Sequence, residues 1–420
     1  MTAGSSDRLL SAILCADWGK ESSKRAVYVA DISARIVRRV RSDAWSVAGV
    51  LAEARRWTSN GSVLATFDAP LGLPESYLRA LSLRRGIEPT ATFLDLLALV
   101  GEMPGYFDAS RSARDWSLEH PFFSVPAGIG GLQSYLDMSA HFGVDMYRKI
   151  DRMTRAKTVF IKAGVPGSVG SAATALWLEL SRELTARRTF KVWPFEGDIQ
   201  TLLRSSPIVV GEIYPRAAYA TALLDLPPSS RPPLSVAKTD EGIRREAVAM
   251  LRTAPWVSEH SIELEDLGHA EASEDDFDAC ITAAALLRCI LEDAPMCPAD
   301  LHAPEFEGGI LGTGSVNFGI AWETFARQRP VRELLQTIPD VPRVGESGRL
   351  RVNPVTEESR TANRIFRCPI AGCDKVFHGS RGGWDAHVGS RRLHPEWHPE
   401  LEVAHDRKRR FETEFPEFFR

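Results

Sequence analysis

The chain has 420 residues, 44% of them hydrophobic and 25% charged, with a net charge of −4. At roughly 100–200 residues per domain this is two or three domains, or one large domain with an appendage, and the apolar fraction excludes wholesale disorder. The negative balance excludes a surface that is basic throughout, though not a local basic site.

Leu10–Asp17 is a continuous apolar run that ends in an acid, the pattern of a buried first strand rather than a signal core. Lys24–Ala30 and Arg35–Arg41 read as two more strands around the turn Asp31-Ile-Ser. Trp45–Trp57 has apolar residues at helical spacing, and Ser62–Asp68 is again apolar and again ends in an acid. Pro74–Gly86 and Thr92–Val100 read as helices, and residues 101–170 as loop-rich. Ala172–Ala186 is an amphipathic helix, followed by strands Thr189–Trp193 and Pro207–Tyr214. Thr239–Leu251 and Asp276–Leu291 are helices, the second opened by Ser273-Glu-Asp-Asp as cap and first turn. Its Ala279–Leu291 stretch is the longest mostly apolar run. It is interrupted by Arg288 and is shorter than the ~20 residues a membrane span needs, so no membrane association is expected.

Composition changes near the C-terminus. Residues 361–420 hold 11 Lys+Arg against 9 Asp+Glu, a net of +2, which leaves −6 for residues 1–360. Across that boundary, 336–362 is polar and rich in proline and glycine, as a linker is. Six cysteines are too few for a disulfide scaffold, and a reducing, cytoplasmic setting is expected.

The acids carry the chemistry. Asp17 and Asp68 close strands, Glu212 sits inside an apolar strand, and Asp275 and Asp278 lie three apart at a helix start, on one face. Carboxylates among apolar strand residues need a partner or a cation. Several at one sheet end suggest hard divalent ions, Mg²⁺ or Mn²⁺, and metal-assisted phosphodiester cleavage. The plainer readings are turn and cap roles for the aspartates, and an arginine partner such as Arg216 for Glu212.

Asp17-Trp-Gly, Phe67-Asp-Ala-Pro-Leu-Gly-Leu-Pro74, Val192-Trp-Pro-Phe195, Gly211-Glu-Ile-Tyr-Pro-Arg216 and Asp275-Asp-Phe-Asp-Ala279 together resemble the domain-of-unknown-function family four-two-nine, described as predicted nucleases of the ribonuclease H-like fold. The resemblance spans roughly residues 10–315. It implies an α/β fold with a mixed sheet flanked by helices over residues 1–335, with an insertion at about 75–190. It also implies metal ligation by Asp17, Asp68 and Asp278, with Asp275 or Glu212 as a fourth ligand. The Asp-x-x-Asp helix start is similar to that of Holliday-junction resolvases.

Weaker signals accompany these. Gly164-Val-Pro-Gly-Ser-Val-Gly170 is a tight turn or a phosphate-binding loop without the ending of a P-loop. Arg152, Arg155 and Lys157 form a basic cluster, either a solvated face or a phosphate contact. Ser168 and Ser171 have no histidine partner in evidence, so a serine hydrolase is not expected.

The tail, residues 363–420, has the spacing of a Cys2His2-like zinc finger: Cys368, Cys373, His387 and His394, with Phe377 and Trp384 as mini-core. The gap from His387 to His394 is longer than usual, which leaves His394 or His398 as the fourth zinc ligand. A lone finger with a glycine-rich helix start suits phosphate, RNA or protein contact better than base reading, and Arg391, Arg392 and Arg407–Arg410 would add grip. The expectation is a metal-dependent nuclease whose nucleic acid, DNA or RNA, is left open. The alternative is a nucleic-acid-binding or adaptor protein with a degenerate catalytic fold.

Overall fold

The computed structural model describes residues 9–86, 92–100, 103–126, 131–186 and 188–326, and in the tail 365–370, 373, 376–378, 394, 396–400 and 404–415. They belong to two compact units, one ending at residue 326 and one starting at 365. The expected linker, 336–362, lies outside the described residues.

The first unit is an α/β structure. Leu10–Asp17 (β1), Ala26–Asp31 (β2) and Ile36–Arg39 (β3) lie side by side, each antiparallel to the next. Asp31 closes the turn between β2 and β3, accepting the Ala34 N–H at 2.9 Å. Helix α1 (Val47–Trp57) starts where the Ser46 hydroxyl accepts the Gly49 N–H, and it buries Val47, Val50, Leu51 and Ala54. β4 (Ser62–Phe67) then returns parallel to β1.

The segment between β4 and the next long strand covers the stretch expected as an insertion. It holds helices Glu75–Arg85, Phe93–Leu99, Gly131–His141, Lys149–Thr154 and α2 (Gly170–Thr185), and a parallel pair, Phe123–Ser124 with Ile161–Ala163. The helix Gly131–His141 corrects the loop reading of 101–170. It buries only Tyr135 and Ser139, so its sequence shows no apolar period. Gly164, at φ 89°, has to be glycine for its turn to pack: a Cβ there would stand 2.0 Å from the Val125 carbonyl oxygen.

β5 (Ile208–Ile213) lies parallel beside β4. Then come α3 (Pro215–Leu223), α4 (Glu241–Arg252) and α5 (Glu274–Leu291), and β6 (Ile310–Leu311) lies parallel beside β5. The sheet order is Glu263–Leu264, β3, β2, β1, β4, β5, β6, with Lys191–Val192 also on β5. Only β2 runs against the others.

Two cores sandwich this sheet. Ala12, Leu14 and Ala16 of β1 pack with Leu51 of α1 and Trp177 of α2. Ile13 and Cys15 pack on the other face with Ala218 of α3 and Ile281 of α5. The strand's period of two thus feeds both layers. Helix α5 is buried on every side from Asp276 to Cys289, which explains its apolar run. Arg288 within that run donates to the Thr221 and Leu224 carbonyls at the end of α3. Among the described residues no helix is long and apolar enough to cross a membrane.

In the second unit, Ile365–Arg367 and Val376–His378 form an antiparallel pair with Phe366 opposite Phe377. A helix spans Ala404–Glu414. Cys368, Ile370 and Phe411 are buried, with Trp397 and Phe415 packed against them.

Candidate functional site

Strand register decides which acids meet. Ala16 pairs with Phe67, and the Asp68 N–H donates to the Ala16 carbonyl at 2.8 Å, so Asp17 and Asp68 follow as neighbours at the carboxyl ends of β1 and β4. Glu212 pairs with Phe67, one residue earlier. In a pleated strand that offset reverses the face. Phe67 belongs to the core beneath the insertion, and Glu212 points to the same side.

Helix α5 supplies the third acid. The Ser273 hydroxyl caps it by accepting the Asp276 N–H, and Asp276 pairs with Arg39 of β3 at 2.5 Å. That anchor presents Asp278 to the sheet end. Oxygens of Asp17, Asp68 and Asp278 lie within 4.8 Å of one another. Asp275, half-buried one turn earlier, lies outside this group, although its charge is felt by Asp17.

Asp278 and Asp17 are buried, and Asp68 is half-buried. Burial is the first cause that pushes each carboxyl up, and mutual repulsion adds to it for Asp17 and Asp68. Asp68 is pushed up to about 8. Two side chains oppose this. The Tyr219 hydroxyl donates to Asp278 Oδ1 at 2.5 Å, and the Lys238 ammonium pairs with Asp278 Oδ2. Lys238 is the cation that acts on all three aspartates.

A pH signature follows from Asp68. Its carboxyl binds a proton more tightly in the folded chain than in the unfolded one, where the pKa is about 3.9. Stability from this group is complete below the unfolded value and is lost as pH rises through about 8. The metal-free protein should therefore melt lower at about pH 9 than at about pH 6. Asp68→Asn, or a saturating divalent cation, should shrink the difference; equal pH slopes in all three samples would contradict it.

Glu212 neither completes the carboxylate set nor pairs with Arg216, which corrects both expectations. Arg148 from the insertion meets it in a two-pronged bond, Nη1–Oε2 and Nη2–Oε1 both 2.7 Å, and the Leu71 N–H donates to Oε2 at 2.7 Å. Arg148 also binds Asp151 at 2.8 Å and donates to the Leu71 and Glu307 carbonyls. All three charged groups are buried. Glu212 is still pushed up to about 7, by burial above all, with Arg148 opposing. The network fastens Pro70–Leu71, just after Asp68, where Trp177 also donates to the Pro70 carbonyl at 2.7 Å. Its role is to hold the Asp68 loop.

In the second unit, one donor atom each from Cys368, Cys373 and His394 lies within 4.8 Å of the others. His387 lies outside the described residues, as do Trp384, Arg391 and Arg392. His398 is engaged elsewhere: its ring nitrogens meet Glu400 at 2.7 Å and Glu414 at 2.6 Å. Those carboxylates raise its pKa. His394 thus takes the place between the two histidine alternatives. Burial, then the neighbouring Cys373, pushes the Cys368 thiol up to about 11, and burial lowers His394. Arg407 turns inward, donating to the His394 and His398 carbonyls at 2.8 Å, so it is structural rather than part of a basic grip. Arg410 pairs with Glu414.

Each unit therefore holds a group that could bind metal: three carboxylates in one, two thiols and an imidazole in the other. Arg148, Tyr219 and Lys238 are the residues the sequence pattern does not announce. Lys238, alone between an apolar strand and the helix cap Asp240, is the faintest of signals. No protein-family model, curated protein or solved structure matches the chain.

Proposed function

We propose that the first unit is a metal-dependent nuclease of the ribonuclease H-like fold, hydrolysing phosphodiester bonds of nucleic acid. The observation that carries this reading is the meeting of Asp17, Asp68 and Asp278 within 4.8 Å at the carboxyl ends of two adjacent parallel strands. The strand order, with β2 alone reversed and β4 and β5 following β1, supports the fold part of this reading.

The donor set fits Mg²⁺ or Mn²⁺. All three donors are hard carboxylate oxygens, and their repulsion and desolvation leave a deficit of positive charge there. Such an ion supplies Lewis acidity towards a phosphoryl oxygen and makes water a better nucleophile. The protein's part is to hold the carboxylates. Tyr219 fixes the orientation of Asp278, the Arg148 network fixes the loop behind Asp68, and Asp276 fixes the start of α5 through Arg39.

The test is a panel of labelled single- and double-stranded DNA, RNA, hybrid and branched substrates with Mg²⁺ or Mn²⁺, beside Asp17→Asn. Cleavage that disappears in the variant is expected. A second reading, a binding or adaptor protein with a degenerate site, draws on the Lys238–Asp278 pair, which already supplies one positive charge. It predicts binding without turnover on the whole panel.

For the tail we assign zinc to Cys368, Cys373 and His394, with His387 as the expected fourth ligand. Sulfur and imidazole donors suit zinc, and a unit this small needs its metal to fold. The finger would dock nucleic acid or a protein partner. Cys368→Ser should lower bound zinc from about one per chain to near zero and expose the tail to protease, with the first unit intact. Full zinc content in the variant would remove Cys368 from the ligand set.

A further inference from the structure

A run of cations and rings leads away from Asp68. Asp68, Lys157 and Tyr214 line one small cleft, whose floor is the paired Arg148, Asp151 and Glu212. Arg216 is the cation that acts on Tyr214 and is itself fixed by Ser235 Oγ at 2.9 Å. Its guanidinium lies over Trp322, 4.4 Å from the ring centroid. Arg155 approaches the same ring at 5.6 Å, and Phe318 at 6.0 Å. Arg155 and Lys157 are exposed, and Tyr214, Arg216 and Trp322 half-buried.

These cations differ from their neighbours. Arg148 and Arg152 are each paired with acids. Arg155, Lys157 and Arg216 have no carboxylate partner among the described residues. On a chain of net negative charge, three unneutralised cations beside a carboxylate cluster are a local reversal of sign.

We propose that Arg155, Lys157, Arg216 and Trp322 form the track along which a single-stranded nucleic acid enters the Asp17–Asp68–Asp278 site, which rests on the nuclease reading above. Phosphates recur once per nucleotide and need cations at intervals. Indole and guanidinium planes offer stacking faces to unpaired bases, and a duplex has those faces already covered. Lys157, which shares the cleft with Asp68, meets the phosphate next to the scissile one. Arg216 and Trp322 hold a base further along.

The experiment uses the full chain, zinc-loaded, in the Asp17→Asn background without magnesium. A labelled oligonucleotide is titrated as single strand and as duplex by anisotropy, over a series of salt concentrations. The single strand should bind at least about tenfold more tightly than the duplex. Trp322→Ala should weaken it by about tenfold or more. Lys157→Gln, at an exposed position with no ion pair among the described residues, should weaken it by a few-fold and lower the salt slope by about one. Equal binding of duplex and single strand, or unchanged affinity in Lys157→Gln, would overturn the track. The same substitutions in the wild-type background are then assayed for cleavage. Oligonucleotide cleavage indifferent to both substitutions overturns the track and leaves the nuclease reading. The expected binding pattern without any cleavage leaves the track and removes the nuclease.

Discussion

Asp68→Asn is expected to lower metal-dependent cleavage by about a thousandfold or more while the protein folds normally. The site is a meeting of three carboxylates within 4.8 Å, and Asp68 adjoins Asp17 by register and feels the charge of Asp278. The amide keeps the shape and removes the negative charge that a cation needs. Several kcal/mol of transition-state stabilisation are at stake, and each 1.36 kcal/mol is about a factor of ten in rate. The same change relieves repulsion in the metal-free protein, so its melting temperature should hold or rise near neutral pH. Initial rates with Mg²⁺ and a thermal melt decide it together. Cleavage within about tenfold of wild type would take Asp68 out of the mechanism.

Arg148→Met should destabilise the first unit by about 3–5 kcal/mol. The side chain is 1% exposed and lies between Glu212 and Asp151, themselves 3% and 2% exposed. Methionine fills much of the volume but leaves two buried carboxyls with no counter-charge. Part of the loss is evaded by protonation, since Glu212 already titrates near 7. Adding Glu212→Gln should recover part of the stability, because one uncompensated charge is then gone. Urea unfolding of the two variants measures both numbers. A loss under about 1 kcal/mol would mean that the ion pair is held more loosely than its geometry shows. Activity should fall as well, because Arg148 and Glu212 together grip Leu71 in the loop behind Asp68.

The two substitutions separate two roles that look alike in sequence. Asp68 closes an apolar run and Glu212 lies within another, each a carboxylate beside apolar strand residues. One is turned to its like charges and the other to an arginine. The difference is a single step of register.

Much was legible in the chain itself. Apolar runs closed by Asp17 and Asp68 marked β1 and the end of β4, because a strand covered on both faces needs continuous apolar residues. The helical period of Val47, Val50, Leu51 and Ala54 marked α1, and Ser273 with three acids marked the start of α5. The cysteine spacing pointed to the tail's donor group. Local pattern is enough for these because each element's own residues determine it.

Tertiary structure alone decided the rest. Arg148 is 64 positions from Glu212, Tyr219 is 59 from Asp278, and Lys238 is 40 from Asp278. No period or cap relates such residues; they meet because the sheet brings their elements to one end. The choice of His394 over His398 likewise turned on Glu400 and Glu414, which engage both nitrogens of the latter. Sequence by itself determined the elements and the kinds of donor available, through hydrophobic period and spacing. Which donors share a site was settled by pleat and register, since a charge's partner is whatever the fold places within a few ångströms of it.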